Sequence, residues 1–540
     1  MGELIGGLLL VALYCFLIYL FFRYVALYLL AIGGGILSAA AAWLYVKSVG
    51  RVLFMGGGAP DVPIGPEPAF KQYFFHKAYL DYVAIVRDAV KANLALGKWA
   101  VDQGLKLFAK EAALFTWPLG VVFFGTLIPA SVAAVAVGAA AGVVHLFLVL
   151  LLSGCALLVA GLLQLVEYAS MAWRGIFVAC PHAGCYKRIS LPVYICPSCG
   201  AEHIRLIPGQ YGVLSRRCSC GNRLPTLFLL GRNKLPSRCP HEGCKRPLNE
   251  AIGVTRNIHL PIVGGPACGK TTFLMASMEQ LTERAKAGAV ALDFPEKPDE
   301  RLFEQSARAL HCGQILQKTT ELSPDAFQVR ITDRSDRAVL LYAYDAAGEL
   351  YSTSDRLGSH EYYSYGHGII FLIDPFSLPL LQGNLGSKLA AVRDDVRPSG
   401  EPPQDVYDRM VKTLRALRGN GRDGSKQPVA VVLTKCDALG VDADLARRAR
   451  SIAGSTDTAN RDSRIASESV AVRDWLVEQG QGNLVRSIEH DFSNILYFSC
   501  SALGRMPDGA HTQFTPTNVL RPVAWVLSFY GVSLPEVLRP

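Results

Sequence analysis

Two stretches of the chain are too long and too apolar to serve as the core of a small soluble domain. Residues 4–46 are interrupted by one charge, Arg23, and residues 112–166 carry none. Each exceeds the roughly 20 residues that cross a hydrocarbon layer. In such a medium every backbone N–H and C=O must be bonded within the segment, so both runs are expected as membrane-crossing helices. A cleaved signal would start basic and stay shorter, whereas this chain begins Met1-Gly2-Glu3 and remains apolar throughout.

The second run has room for two helices, with Pro129 and the Gly-Ala-rich residues 130–142 as a turn, and is expected as a hairpin over 112–166. The first, over 1–46, reads as a hairpin near 4–22 and 25–46, or as one long tilted helix. Between them, residues 47–111 hold nine Lys or Arg against six Asp or Glu and read as a basic, amphipathic helical linker. The excess of positive charge favours the cytosolic side. With two hairpins, that linker and everything after residue 167 would face the cytosol. The overall values, 51% hydrophobic and 18% charged, therefore average an apolar first third with an ordinary soluble remainder.

Eight of the fourteen cysteines lie in close pairs between residues 180 and 244, in CPHAGC, CPSCG, CSCG and CPHEGC. Each pair sits on a short turn rich in Pro and Gly, which lets two thiolates converge on one ion. Zinc takes four such ligands, and closed sites of that kind replace the hydrophobic core that a short segment lacks. Residues 175–250 are thus expected as a double zinc ribbon holding two Zn2+. Closing the shortest loops groups Cys180, Cys185, Cys196 and Cys199 on one ion and Cys218, Cys220, Cys239 and Cys244 on the other. A nested grouping, outer pairs together and inner pairs together, stays open. His182, His203 and His241 are left as neighbours of the turns.

Residues 264–272, GGPACGKTT, fit the phosphate-cradling pattern G-x-x-x-x-G-K-[ST]. A strand over 257–263 and a helix over 271–287 give it the strand, loop, helix context that such a loop needs. Pro261 inside that strand is a departure, because proline lacks a ladder donor. Cys268 reads as a small loop filler rather than a redox thiol. Downstream, RAVLLYAY ends in Asp345-Ala346-Ala347-Gly348, a carboxylate and an amide placed for magnesium and a terminal phosphate. GIIFLID follows at 368–374 as a buried strand. VAVVLTKCD ends in Thr434-Lys435-Cys436-Asp437, where one carboxylate can accept from two guanine donors that adenine does not offer. A last strand leads to Ser499-Cys500-Ser501-Ala502.

GGPACGKTT, DAAG, TKCD and CSAL resemble the successive motifs of the Ras-like GTPase fold over 256–540. With the apolar and cysteine-rich segments before them, they more narrowly resemble bacterial double-GTPase type proteins of GTPase-associated conflict systems. The resemblance implies an α/β P-loop domain, a mostly parallel sheet with helices on both faces, which binds GTP or GDP with Mg2+. Its nucleotide-binding residues would be Gly264, Gly269, Lys270, Thr271, Thr272, Asp345, Gly348, Thr434, Lys435, Asp437, Ser501 and Ala502, with Thr271 and Asp345 toward magnesium. Lys270, Glu349 and a switch threonine, Thr320 or Thr319, would act in turnover. Thr434 stands where the family often has Asn. Glu349 stands where it often has a water-orienting Gln, and a carboxylate there opposes the charge of a transferring phosphoryl group, so slow intrinsic hydrolysis is expected. An insertion near 288–318 separates the loop from the switch threonine.

The expected whole is an α-helical transmembrane region, a small zinc-ribbon module and a P-loop GTPase domain: a protein of the inner membrane with its ribbon and GTPase parts in the cytosol, acting as a switch that binds a protein partner, in bacterial defence by the narrower resemblance. A constitutive guanine-nucleotide scaffold is the main alternative. A nucleic-acid-associated ATPase is disfavoured: TKCD selects guanine, and the net charge of +9 is spread rather than gathered into a stripe.

Overall fold

A computed structural model describes residues 2–58, 60–63, 65–108, 113–173, 178–182, 184–249, 255–288, 290–316, 326–334, 337–345, 366–418, 425–453, 461–506, 513–532 and 534. The chain folds as two compact units, Met1–Glu167 with Leu206–Arg232, and Tyr168–Arg205 with Asn233–Pro540. The boundary runs through the cysteine segment, which differs from the single 175–250 module expected. Buried ion pairs explain where Leu206–Arg232 goes: Arg216 lies 2.8 Å from Glu67, and Arg232 lies 3.1 Å from Glu167.

The first unit is built on two helices that are long and apolar enough to cross a membrane, Leu4–Phe54 and Leu114–Trp173. Neither run forms a hairpin. The first is helical from end to end, with one π turn at Phe21–Val25, and the second is a single helix of 61 residues, Ala113–Trp173, with Pro118 and Pro129 inside it. A proline removes one backbone bond, whereas a turn would break several, and the helix continues through it. Gly34 makes room for the ring: a Cβ placed there would meet Cγ of Pro129 at 3.3 Å. The two long helices run in the same direction. Trp117 donates to the hydroxyl of Tyr14 over 2.8 Å at one end, and Ala141 packs against the Tyr45 cluster further along. The amphipathic helix Lys77–Phe108 returns antiparallel between their levels, its Tyr82 ring 5.4 Å from His145 and its start bonded through Phe74 O to Ser153.

The second unit holds a seven-stranded sheet, formed by β1 (Arg256–Gly264), β2 (Val290–Asp293), β3 (Phe327–Asp333), β4 (Ala338–Asp345), β5 (Ile369–Ile373), β6 (Ser425–Leu433) and β7 (Phe492–Ser499). Their spatial order is β2-β3-β4-β1-β5-β6-β7. Strands β4, β1, β5, β6 and β7 are parallel, and β2 and β3 are antiparallel additions at one edge. Near-continuous runs such as IIFLI in β5 are buried at every position, as expected for a sheet covered on both faces. The expected insertion is resolved in part as β2 and the helix Lys297–His311. Pro261 costs no ladder bond, because β5 joins β1 only from Ile262 onward and the nearby His259 amide bonds Nδ1 of His367 at 3.1 Å.

Candidate functional site

The carboxyl ends of the parallel strands surround a cavity of about 340 Å3, within the size range of small-ligand sites. Its floor is the loop between β1 and the helix Lys270–Lys286. Gly269 caps that helix with φ 91°, a left-handed backbone that glycine adopts without strain. Gly264 has no room for a side chain, since a Cβ there would lie 2.5 Å from Sγ of Cys268 and 3.0 Å from the Leu372 carbonyl. Cys268 itself is buried, which pushes its thiol up, as befits a loop filler. The Lys270 ammonium folds back on the loop, donating to the carbonyls of Gly264 and Gly265 at 3.0 and 3.1 Å.

At one end of the cavity the hydroxyl of Thr271 donates to the Asp345 carboxylate, 2.5 Å away, so the two expected magnesium ligands face each other. At the other end Ser501 donates to Asp437, also over 2.5 Å. Burial pushes the Asp437 carboxyl above its ordinary value, against the opposing pull of that hydroxyl. Thr272, Thr434, Lys435 and Ala502 line the same cavity. Thr434 is also a tie within the protein: its hydroxyl donates to the carbonyl of Cys268 at 3.0 Å and joins the phosphate loop to the TKCD segment. The structure therefore brings together Gly264, Gly269, Lys270, Thr271, Thr272, Asp345, Thr434, Lys435, Asp437, Ser501 and Ala502. Thr319, Thr320, Gly348 and Glu349 lie outside the described residues.

Asp374 and Arg397 were not singled out from sequence. Lys435 donates to Asp374 at 2.7 Å, to the Ala267 carbonyl at 2.8 Å and to the Arg397 carbonyl at 2.9 Å. Asp374 also accepts from the amides of Phe376 and Ser399 at 2.9 and 2.8 Å, which holds the segment carrying Arg397 at the cavity wall. The only hint in sequence was a charged residue at the end of an otherwise apolar strand.

A separate group of ligands gathers Cys180, Cys185, Cys239 and Cys244, whose sulfurs all lie within 4.8 Å of one another. Cys180 and Cys244 are 3.7 Å apart, Cys185 and Cys239 3.8 Å. Four sulfurs at zinc's bond length of about 2.3 Å on a tetrahedron stand about 3.8 Å apart, so the cluster could hold zinc. Burial pushes the Cys239 thiol up to about 11, the condition that a divalent cation reverses. His241 Nδ1 lies 3.2 Å from the Cys239 sulfur and His182 bonds the Pro247 carbonyl, so both are neighbours of the thiols. The shortest-loop grouping is overturned here in favour of the nested one. Val193–Ile195 pairs with Ser237–Arg238, which carries the second turn to the first. The shorter loop would have saved only about 1 kcal/mol, because closure entropy grows with the logarithm of length.

Residues 258–487 match the family model described as Double-GTPase 2. No curated protein matches the chain. The matched span runs from β1 through the helix Gly482–Asp491 and includes the phosphate loop, Asp345 and Asp437, and such a family implies guanine-nucleotide binding. Residues 258–487, which supply most of the cavity wall, are thus matched as a P-loop domain of the double-GTPase type.

Proposed function

We propose that the protein is a membrane-anchored GTP-binding switch that hydrolyses GTP slowly. The observation that supports this best is the layout of one cavity: a phosphate loop between a Thr271–Asp345 pair at one end and an Asp437–Ser501 pair at the other. Asp437 would accept from the two donors of guanine, the Gly264–Thr271 loop and Lys270 would surround the phosphates, and Thr271 and Asp345 would hold magnesium. Magnesium, when bound, would neutralise charge that develops on the phosphates. Lys270 would exchange its two loop carbonyls for phosphate oxygens.

The two long apolar helices would anchor the protein in the inner membrane, with the GTPase domain on the cytosolic side. Hydrolysis would release segments around Thr320 and Glu349 and change the binding of a protein partner, the readout expected of order-disorder switches. Two Zn2+ would stiffen the cysteine turns, one of them on Cys180, Cys185, Cys239 and Cys244. The test is full-length protein in detergent, assayed for GTP and ATP binding and for phosphate release. Selective GTP binding with slow turnover supports the switch, binding without turnover the constitutive scaffold, and a preference for ATP sinks both.

A further inference from the structure

We propose that Tyr186 is a positioning residue for the phosphate end of the nucleotide site, which couples metal at Cys180, Cys185, Cys239 and Cys244 to the placement of Asp345. The inference rests on the reading of Thr271 and Asp345 as the magnesium-facing pair.

Tyr186 directly follows Cys185 and is fully buried at 0% exposure. Its backbone is left-handed, with φ 48°, a region that costs a side-chain-bearing residue on the order of 1 kcal/mol. Such strain persists where surroundings over-determine it, and four ligands on one ion would do so. The strained turn aims the ring at β4: the Tyr186 and Tyr344 centroids are 5.7 Å apart at 73°, an edge-to-face contact. Tyr344 is held from another side by Nδ1 of His259, 2.7 Å from its hydroxyl. The next residue in the chain is Asp345, which receives the Thr271 hydroxyl. A second contact ties the same turn to the sheet, from the Ala326 amide to the Pro181 carbonyl at 3.2 Å, one residue before β3.

The cysteine turn is therefore packed on the last residues of β4 and not merely tethered to it. Loss of metal would free the left-handed turn, withdraw the Tyr186 ring and leave the end of β4 less constrained where it delivers its carboxylate. Linkage requires the reverse as well: nucleotide bound with magnesium would tighten metal at the cysteines by the same factor.

The experiment measures GTP affinity of the full-length protein with and without magnesium, alongside zinc content. Tyr186→Ala is expected to reduce the magnesium-dependent gain in GTP affinity about tenfold, with magnesium-free GDP binding and zinc content unchanged. Tyr186→Phe, which keeps the ring, is expected to restore the gain. A general packing defect would instead lower all nucleotide binding alike. If Tyr186→Ala loses zinc, Tyr344→Leu removes the other ring without touching the turn and is expected to show the same reduced gain. An undiminished gain in a zinc-replete Tyr186→Ala, or in Tyr344→Leu, overturns the proposal. A wild-type protein that gains nothing from magnesium overturns both the reading of Thr271 with Asp345 and this proposal, so the two failures are distinguishable.

Discussion

The ammonium of Lys435 sits 2.7 Å from a carboxylate oxygen of Asp374, a side chain with 0% exposure at the end of the neighbouring strand. The pair spans the β5 and β6 ends and fixes Lys435 across the phosphate loop at Ala267. Removing one partner of such a pair leaves a buried charge uncompensated, which costs about 3 kcal/mol or more. Asp374→Ala is therefore expected to lower the thermal midpoint by several degrees and to weaken GTP binding. Asp374→Asn keeps an acceptor for only one of the Phe376 and Ser399 amides, which bond different carboxylate oxygens, and should be milder in stability than Asp374→Ala. Thermal unfolding with and without GTP separates the two effects.

In the proposed reading Asp437 selects the base. Asp437→Asn sets an amide donor against a guanine donor, and an unpaired buried group costs roughly 1 to 3 kcal/mol, or one to two powers of ten in affinity. Xanthine offers a carbonyl at that place, so the variant should now prefer xanthosine triphosphate, whereas Lys270→Ala should weaken all triphosphates alike. Competition binding with the two nucleotides checks this, and an unchanged preference would remove TKCD as the base-reading loop.

The same residue gives a pH dependence. Its carboxyl is raised in the folded protein, chiefly by burial, so the protonated form is favoured there relative to the unfolded chain. This contribution to the stability of the nucleotide-free protein is present at low pH and is lost as pH rises through the raised value. In the proposed contact guanine needs the ionised form. GTP affinity should therefore fall as pH drops through the raised carboxyl value, while Asp437→Asn should lose that dependence for xanthosine triphosphate. Isothermal titrations across the mildly acidic range provide the measurement.

Metal content distinguishes the two cysteine groupings. A Cys180→Ser, Cys244→Ser double variant breaks one site under the nested arrangement and both sites under the shortest-loop one. About two zinc ions per chain are expected for the wild type and about one for the double variant, following the four-ligand rule. Elemental analysis of protein purified without chelator gives the counts. Fewer than one ion in wild-type protein would remove zinc from the account.

Two helices that run in the same direction place their starts on one side of whatever they cross. If Leu4–Phe54 and Leu114–Trp173 each cross once in that direction, Lys77–Phe108 must cross back between them, and a tag at the N-terminus and one at the C-terminus lie on opposite faces of the membrane. The hairpin reading puts both on one face. Protease protection of the two tags in sealed vesicles decides between them.

The phosphate loop, the strand before it, the helix after it and the strand that ends in TKCD were all legible in the sequence, because what they need is local. Gly269 supplies a left-handed cap, Gly264 a position with no space for Cβ, and short β-branched runs such as IIFLI and VAVVL fit buried strands of a covered sheet. The existence of a thiolate site was legible for the same reason, since each pair of cysteines carries its own turn. Which pairs meet was not. The alternatives differ by about 1 kcal/mol of closure entropy, and pairing of Val193–Ile195 with Ser237–Arg238 outweighs that. Nor could the sequence tell that Pro129 stays within one helix, because the space for its ring comes from Gly34, nearly a hundred residues earlier. Asp374 escaped notice as well: its role exists only once β5 and β6 lie side by side and set its carboxylate against Lys435. Sequence determined the pieces whose energetics close within a dozen residues, and tertiary structure decided every choice in which competing long-range contacts differ by little.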